Sequence, residues 1–152
     1  MAGWKSDNDQ KGETGIKVKN FHIAIKAVIV NNGRVLVLKE PNRFSGFDLP
    51  GGKIDEDENI EQALKRELNE ELGLKKFKMG ELLHVFERLD YHKNGAKLML
   101  IYYKVEATFK KIKLSNEHTS YKWISKKDLP EIIKTKEFRN DGMRIALEKV
   151  LK

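Results

Sequence analysis

Three carboxylates within five residues are the groups in this sequence best suited to chemistry. When residues 58–72 are placed on an α-helix, their apolar side chains form one arc that predicts the buried face. Glu67 and Glu71 project within this arc, and Glu70 lies at its edge. A buried carboxylate is costly unless positive charge meets it, and carboxylates three or four residues apart repel one another. Clustered carboxylate oxygens suit a hard divalent cation, so we predict that this helix binds Mg²⁺ or Mn²⁺.

A proline and two glycines precede the helix at residues 50–52. Glycine permits a positive φ and lets the backbone approach a ligand closely, so a ligand role is predicted for this segment. Asp55 and Asp57 are expected to cap the helix and to place negative charge at its N-terminus. Gly73 is expected to end the helix.

Charge is distributed unevenly along the chain. The net charge is +7, yet residues 52–74 hold eight acidic residues against three basic ones, so this segment carries −5 and the remainder +12. A basic surround attracts phosphates towards an acidic metal site. The lysines look scattered along the sequence, so binding of RNA or other nucleic acid is the second interpretation.

Length and composition favour one domain at 152 residues, with 39% apolar and 35% charged residues. The absence of cysteine excludes disulfides and thiol catalysis and agrees with a cytoplasmic location. No apolar run approaches the ~20 residues of a membrane span, and the N-terminus lacks the apolar core of a secretory signal. Residues 1–16 are polar and without periodicity, which predicts a flexible tail before a domain over residues 17–152.

The remaining pattern predicts alternating strands and helices. Strands are predicted over residues 21–30, 34–38, 47–49, 76–89, 97–105 and 121–124, with a strand or connection over 107–114. Asn31-Asn32-Gly33 predicts one hairpin turn, and residues 90–96, which contain Asn94-Gly95, a longer one. Ser125 is expected to cap a short helix over 126–129, and Asn140 or Asp141 the final helix to about Leu151. This order predicts the α/β class, with a mixed sheet between helices.

The acidic helix also carries a family resemblance. Gly52, Glu58 and the run from Arg66 to Leu74 match the Nudix box at every specified position. The preceding residues 49–52 (LPGG), and the later pairs at 117–118, 123–124 and 128–129, are similar to other signatures of the family. The resemblance covers the chain from about Phe21 to Leu151. Phe47 departs from it, because many relatives have tryptophan there.

This resemblance implies a MutT-like Nudix hydrolase with an α/β/α sandwich. Such enzymes hydrolyse a nucleoside diphosphate linked to a group X, giving a nucleoside monophosphate and phosphoryl-X, and they require Mg²⁺ or Mn²⁺. The resemblance adds the Gly52 carbonyl and Glu70 to the predicted metal ligands Glu67 and Glu71, and it implies that Arg66 pairs with a glutamate, such as Glu58. The general base stays open between Glu67, Glu71 and Glu117, and His118 is expected to be structural.

The substrate is less well indicated. Arg43 and Lys39 are candidate phosphate contacts, and Phe47 and Tyr91 are candidate base contacts, with Phe86 and Tyr103 as further aromatic residues. ADP-ribose hydrolases often have proline about sixteen residues past the box, where this chain has Asp90, so ADP-ribose is a less favoured substrate. Diadenosine polyphosphate hydrolases often have tyrosine near that distance, where Tyr91 stands. Nucleoside triphosphates, in the cleansing of oxidised forms from the nucleotide pool, are at least as well supported.

Two alternatives complete the predictions. Removal of the 5′ pyrophosphate from RNA is favoured by the basic remainder of the chain. A non-catalytic nucleotide sensor is disfavoured, because such proteins usually lose the glutamates of the box. A monomer or a homodimer is expected, with no membrane partner.

Overall fold

The computed structural model describes residues 15–39 and 46–152. Seven strands and three helices are formed by these residues. The strands are β1 (Phe21–Asn31), β2 (Arg34–Lys39), β3 (Phe47–Asp48), β4 (Gly51–Lys53), β5 (Lys78–Lys93), β6 (Ala96–Glu106) and β7 (Ser120–Ile124). The helices are α1 (Ile60–Leu72), α2 (Leu129–Thr135) and α3 (Asp141–Val150). Arg43 and residues 1–14 of the predicted tail lie outside the described residues.

The strands form one mixed sheet in the order β3-β2-β1-β6-β5, with β4 paired to β1 and β7 to β2. Strands β1 and β6 run parallel, with Ile25 opposite Ile101, and the other strand pairings of the described residues are antiparallel. Asn32-Gly33 and Asn94-Gly95 make two-residue hairpin turns in which all four residues have positive φ. These are the residue types that a type I′ turn requires.

Helices cover both faces of the sheet. Alternate residues of a strand point to opposite sides, so β1 contributes to the core on both faces. On one face, β1 and α1 share a core cluster that includes Ile25, Ala27, Ile29, Leu64, Leu68 and Leu72. On the other face, β1 packs with α2 and α3 in a cluster that includes Ala24, Val28, Ile132, Met143, Ala146 and Leu147. The predicted sandwich of a mixed sheet between helices is therefore confirmed. Within the described part of the chain, no helix has the length and apolar content of a membrane span.

The start of α1 differs from the prediction. The helix begins at Ile60, and its cap is Asn59, not Asp55 or Asp57. The Asn59 side chain accepts a hydrogen bond from the Gln62 backbone N–H at 2.8 Å, and the Gln62 side chain accepts one from the Asn59 N–H at 3.0 Å. This reciprocal capping box satisfies the backbone N–H groups of both Asn59 and Gln62, so the acidic residues upstream are not needed as caps. Gly73 ends the helix with a φ of 68°, as predicted.

Strand β5 is longer than predicted. Residues 90–96 are not a loop, because β5 continues to Lys93 and β6 begins at Ala96. Polar residues favour a turn here locally, but pairing with β6, in which Lys93 lies opposite Ala96, overrides that preference. A register shift between Arg88 and Lys93 takes up the irregularity. Tyr91 therefore lies on a strand.

The predicted short helix capped by Ser125 is not formed. Residues 126–128 make a turn, and α2 begins at Leu129. The Asp128 carboxylate accepts hydrogen bonds from the backbone N–H and the hydroxyl of Ser125, at 2.7 and 3.0 Å. The pKa of Asp128 is lowered from its ordinary value, and the hydrogen bond from the Ser125 backbone N–H is the largest cause. The polar side chain that closes this turn is thus the aspartate, and Pro130 then favours a helix start.

Candidate active site

A glycine segment is held between the sheet and α1. Strand β4 places Gly51 opposite Lys26 and Gly52 opposite Ile25. Gly51 has a φ of 137°, and a Cβ there would lie 2.0 Å from the Ile25 carbonyl oxygen. A Cβ on Gly52 would lie 2.4 Å from Oε1 of Glu67. Glycine is therefore required at Gly51 by backbone conformation and space, whereas a side chain at Gly52 would displace the Glu67 carboxylate.

Glu71 of α1 is buried beside the glycine segment, with 4% of its surface exposed. Its Oε1 accepts a hydrogen bond from the Gly51 N–H at 3.2 Å. Its Oε2 accepts no hydrogen bond from any of the described residues. Burial, and then the neighbouring Glu67 carboxyl, raise the pKa of Glu71 well above its usual range, against the opposing charge of Lys26.

Arg66 contacts three glutamates, one before α1 and two on it. Its Nε and Nη2 donate to the two oxygens of Glu58 at 2.7 and 2.8 Å, as predicted. Its Nη1 donates to Glu67 Oε1 at 2.9 Å and lies 3.5 Å from Glu70 Oε2. The hydrogen bond from Arg66 lowers the pKa of Glu58 to about 2, and the same bond raises the pKa of Arg66. Arg66 thus fixes Glu67 beside Gly52.

The donor set fits a hard divalent cation. Glu71 has a buried oxygen without a donor, and a second carboxylate, Glu67, lies beside it. Oxygen ligands of this kind are those that Mg²⁺ and Mn²⁺ prefer. Glu70 is 59% exposed and faces Arg66, and within residues 15–39 and 46–152 no three acidic or histidine side chains converge as a ligand set. Glu67 and Glu71 would therefore hold the ion, with Gly52 and Glu70 as further predicted ligands.

A buried cation lies next to the glycine segment. Lys26 Nζ donates to Asp48 Oδ2 and to the Leu49 carbonyl, both at 3.2 Å. The Lys26 and Asp48 side chains are 14% and 11% exposed, so water screens their pairing weakly. The Lys26 charge also acts on Glu71, where it opposes the elevated pKa. This ion pair fixes the chain just before Gly51 and brings positive charge to the carboxylates.

A cleft of about 690 Å³ opens on the α3 side of the sheet. It is lined by Phe86, Arg88, Asp90, Phe138, Asn140, Asp141 and Arg144, among others. Asn140 caps α3 by accepting from the Met143 N–H at 3.0 Å, and it also accepts from the Tyr102 hydroxyl at 2.9 Å. Tyr102 lies opposite Lys26 in the pairing of β1 with β6. Asn140 on the wall of the cleft is therefore hydrogen-bonded to Tyr102, the cross-strand neighbour of Lys26.

The loop that carries the predicted catalytic residue Glu117 approaches the carboxylates through the neighbouring residue, His118. His118 is buried, with its Nε2 3.9 Å from Glu71 Oε2, whereas Glu117 is exposed. The Ser115 N–H donates to the Glu71 carbonyl at 3.1 Å, which holds this loop against the end of α1. His118, expected to be structural, is thus the member of the pair in contact with the carboxylates.

The two predicted base contacts lie on different strands. Phe47 donates from its backbone N–H to the Glu137 carbonyl at 2.8 Å and forms a bridge with Phe138 of the cleft. Tyr91 accepts a hydrogen bond from the Lys53 ammonium group, which also lies 4.8 Å from its ring centre. Phe47 therefore adjoins the cleft, whereas Tyr91 adjoins the end of the glycine segment.

No role in the site was predicted from the sequence for four residues of this arrangement: Lys26, Asp48, Tyr102 and Asn140. The sequence does contain one indication of a role for Lys26, because it is the only charged residue within the apolar run 23–30. A charge in a buried strand needs a partner, which is a reason to search for one. Asp48 and Tyr102 gave no comparable signal, and Asn140 was selected only as a helix cap.

Comparison with known proteins identifies the class to which this fold and site belong. The family model of the NUDIX domain matches residues 20–144. The chain therefore belongs to the Nudix family, and it is a pyrophosphohydrolase that acts on phosphoanhydride bonds of nucleotide substrates.

Individual relatives agree with this assignment. An 8-oxo-dGTP diphosphatase of Buchnera aphidicola subsp. Schizaphis graminum is 33% identical over 105 residues, covering 67% of this chain and 75% of that protein. An ADP-ribose pyrophosphatase of Methanocaldococcus jannaschii is 33% identical over 82 residues, covering 53% of this chain and 48% of that protein. The crystal structure of a MutT protein from Methanosarcina mazei Go1 superimposes with a TM-score of 0.69 at 26% identity, covering 87% of this chain and 94% of the other.

Proposed function

We propose that this enzyme hydrolyses purine nucleoside triphosphates to the monophosphate and pyrophosphate, with an oxidised guanine nucleotide as the preferred substrate. The observation that carries the proposal is the buried, donor-free oxygen of Glu71 beside Glu67, and a separate cleft of nucleoside size is available for the base. The similarity to an 8-oxo-dGTP diphosphatase over two thirds of the chain supports the same substrate class.

The cleft offers the groups that a guanine base needs. Phe86 and Phe138 are half-buried aromatic side chains on its walls, suited to stacking on a base. Asn140 uses its carbonyl oxygen for Tyr102 and for the cap, which leaves its amide N–H groups to donate to a base carbonyl. The carboxylate of Asp141 can accept from the ring N–H groups of guanine.

The phosphates would lie beside the glycine segment and the carboxylates of α1. Lys26 brings positive charge to the end of the glycine segment, and Glu67 and Glu71 would hold Mg²⁺ or Mn²⁺ there, with the Gly52 carbonyl. A bound divalent cation would neutralise phosphate oxygens and lower the pKa of a coordinated water. Arg66 fixes the position of the Glu67 carboxylate, because it holds that side chain and Glu58 in the same hydrogen-bond network.

The proton acceptor belongs to the set Glu67, Glu71 and Glu117. Glu71 is fixed by the Gly51 N–H and Glu67 by Arg66, which favours a ligand role for both. Glu117 has an exposed side chain on the loop that crosses the end of α1, so it is free to approach a water at the site. We therefore assign the base to Glu117. A pH–rate profile tests this, because Glu117→Gln should remove the acidic limb and Glu67→Gln should instead weaken metal binding.

The substrate proposal is tested by a hydrolysis screen that resolves the products. The screen compares 8-oxo-dGTP, dGTP, CTP, ADP-ribose and a diadenosine polyphosphate in Mg²⁺, with Glu71→Gln as the blank. We expect the highest kcat/KM for the oxidised guanine nucleotide, with a monophosphate and pyrophosphate as products. A preference for the diadenosine compound would contradict the proposal and would favour Tyr91 as the base contact. Turnover retained in Glu71→Gln would contradict the assigned site.

A further inference from the structure

Seven lysines lie in two segments of the chain that the hydrolytic site does not use. Lys75, Lys76 and Lys78 follow α1, Lys104 lies on β6, and Lys110, Lys111 and Lys113 lie in the connection after β6. We call these residues the lysine surface. Residues 75–81 and 104–114 together contain these seven lysines and only two acidic residues, a net charge of +5.

Tertiary contacts bring the two lysine-bearing segments together. The Lys113 N–H donates to the carbonyl of Leu72, the last residue of α1, at 3.0 Å. Lys76 and Lys104 line the same shallow cleft of about 590 Å³. The connection 107–114 therefore lies across the end of α1, from which the segment 75–78 emerges.

The ammonium groups of the lysine surface form no ion pairs with the described residues. Within residues 15–39 and 46–152, no acidic side chain lies within 4.0 Å of any of the seven. Six of them are exposed, and Lys104 is half-buried. Clustered cations without counter-charges create a positive potential that attracts a polyanion.

The neighbouring groups favour nucleic acid over a lipid surface. The cleft beside Lys76 and Lys104 also contains Glu106 and the polar residues Asn31, Asn32 and Thr108, whose amide and hydroxyl groups can donate to phosphate and sugar oxygens. Among the described residues, the large apolar side chains that are exposed all lie outside the segments 75–81 and 104–114. A membrane-binding surface needs such side chains to enter the acyl region.

The lysine surface leads to the hydrolytic site. Two residues beyond Lys113, the Ser115 N–H donates to the Glu71 carbonyl at 3.1 Å, and His118 Nε2 lies 3.9 Å from Glu71 Oε2. We propose that the lysine surface binds the phosphodiester backbone of single-stranded RNA, so that the end of the strand lies beside Glu71. The binding of the strand rests on the charges alone, and only the position of its end rests on the proposed function.

The experiment measures binding of a labelled single-stranded RNA of about 20 nucleotides across about 50–300 mM salt. The test variant is the triple Lys110→Glu, Lys111→Glu, Lys113→Glu. The matched control is Lys126→Glu, Lys127→Glu, Lys134→Glu, which makes the same charge change at exposed positions around α2. Nucleotide hydrolysis and thermal unfolding are measured for all three proteins, and vesicles with and without anionic lipid are tested in parallel.

We expect the test triple to weaken RNA binding at least tenfold at low salt and to flatten the log–log salt slope by about 2, since each single-strand phosphate contact contributes about 0.7. The control triple should change affinity less than about twofold. Equal weakening by both triples, no RNA binding by the wild type, or binding to anionic vesicles alone would overturn the proposal. Retained RNA binding without nucleotide hydrolysis would contradict the proposed function and leave the binding surface supported.

Discussion

Replacing Glu71 by glutamine should abolish hydrolysis and at the same time stabilise the metal-free protein. Oε2 of Glu71 is buried without a donor among the described residues, and an unsatisfied buried acceptor costs about 1–3 kcal/mol. Glutamine keeps the side-chain volume, its carbonyl can keep the hydrogen bond from Gly51, and its amide does not ionise beside Glu67. We therefore expect the free energy of unfolding in chelator to rise by about 1–3 kcal/mol. For a chain of this length, each kcal/mol raises Tm by about 2–4 °C.

The difference between the two proteins should depend on pH. Because burial and Glu67 raise the pKa of Glu71 in the folded state, the wild type loses stability as pH rises above the ordinary value of 4.5. The loss continues up to the raised folded pKa. Glutamine does not titrate, so Glu71→Gln should match the wild type in strong acid and exceed its stability at neutral pH.

Thermal unfolding in chelator and in Mg²⁺ measures both effects. Mg²⁺ at about 100 times its Kd should stabilise the wild type by about 2.7 kcal/mol and Glu71→Gln much less. Glu61→Gln is the matched control, since Glu61 lies on the exposed face of the same helix and should show neither effect. The reasoning is refuted if Glu71→Gln is less stable than the wild type in chelator, or if Mg²⁺ stabilises it equally.

Three further substitutions test the residues around the site. Glu58→Gln removes the partner of Arg66, so it should lower Tm at neutral pH, and the difference from the wild type should vanish as pH falls through the depressed pKa of about 2; melts across pH measure this. Lys26→Met leaves Asp48 without its buried partner and should lower the free energy of unfolding by about 3 kcal/mol, most of which the added change Asp48→Asn restores in denaturant titrations. Asn140→Ala removes the cap of α3, which should cost about 0.5–2 kcal/mol, and should raise KM for guanine nucleotides more than for CTP in steady-state assays.

Each of these has an outcome that would contradict it. A Tm difference for Glu58→Gln that is independent of pH would mean that the ion pair with Arg66 contributes nothing. If the change at Asp48 does not restore stability to Lys26→Met, the lysine acts through packing of its chain. An equal rise in KM for purine and pyrimidine nucleotides in Asn140→Ala would place the base outside the cleft.

The sequence by itself determined the features whose cause is local. The acidic helix follows from a periodic apolar arc that ends at Gly73, and the turn at Asn32-Gly33 follows from two residues that adopt positive φ readily. The position of Glu71 on the buried face follows from the same 3.6-residue period. These features depend on contacts within one or two turns of chain, which is why the sequence alone predicts them.

Only the tertiary structure decided which distant residues meet. Lys26 pairs with Asp48 and lies opposite Tyr102 because β1 is central and pairs with both β4 and β6. The same long-range pairing extends β5 through a segment that has the composition of a loop. It also gathers lysines that look scattered along the sequence, because the connection after β6 packs across the end of α1 at Leu72. The free energy of such contacts comes from burial and sheet pairing between segments far apart in the chain, and no local pattern records it.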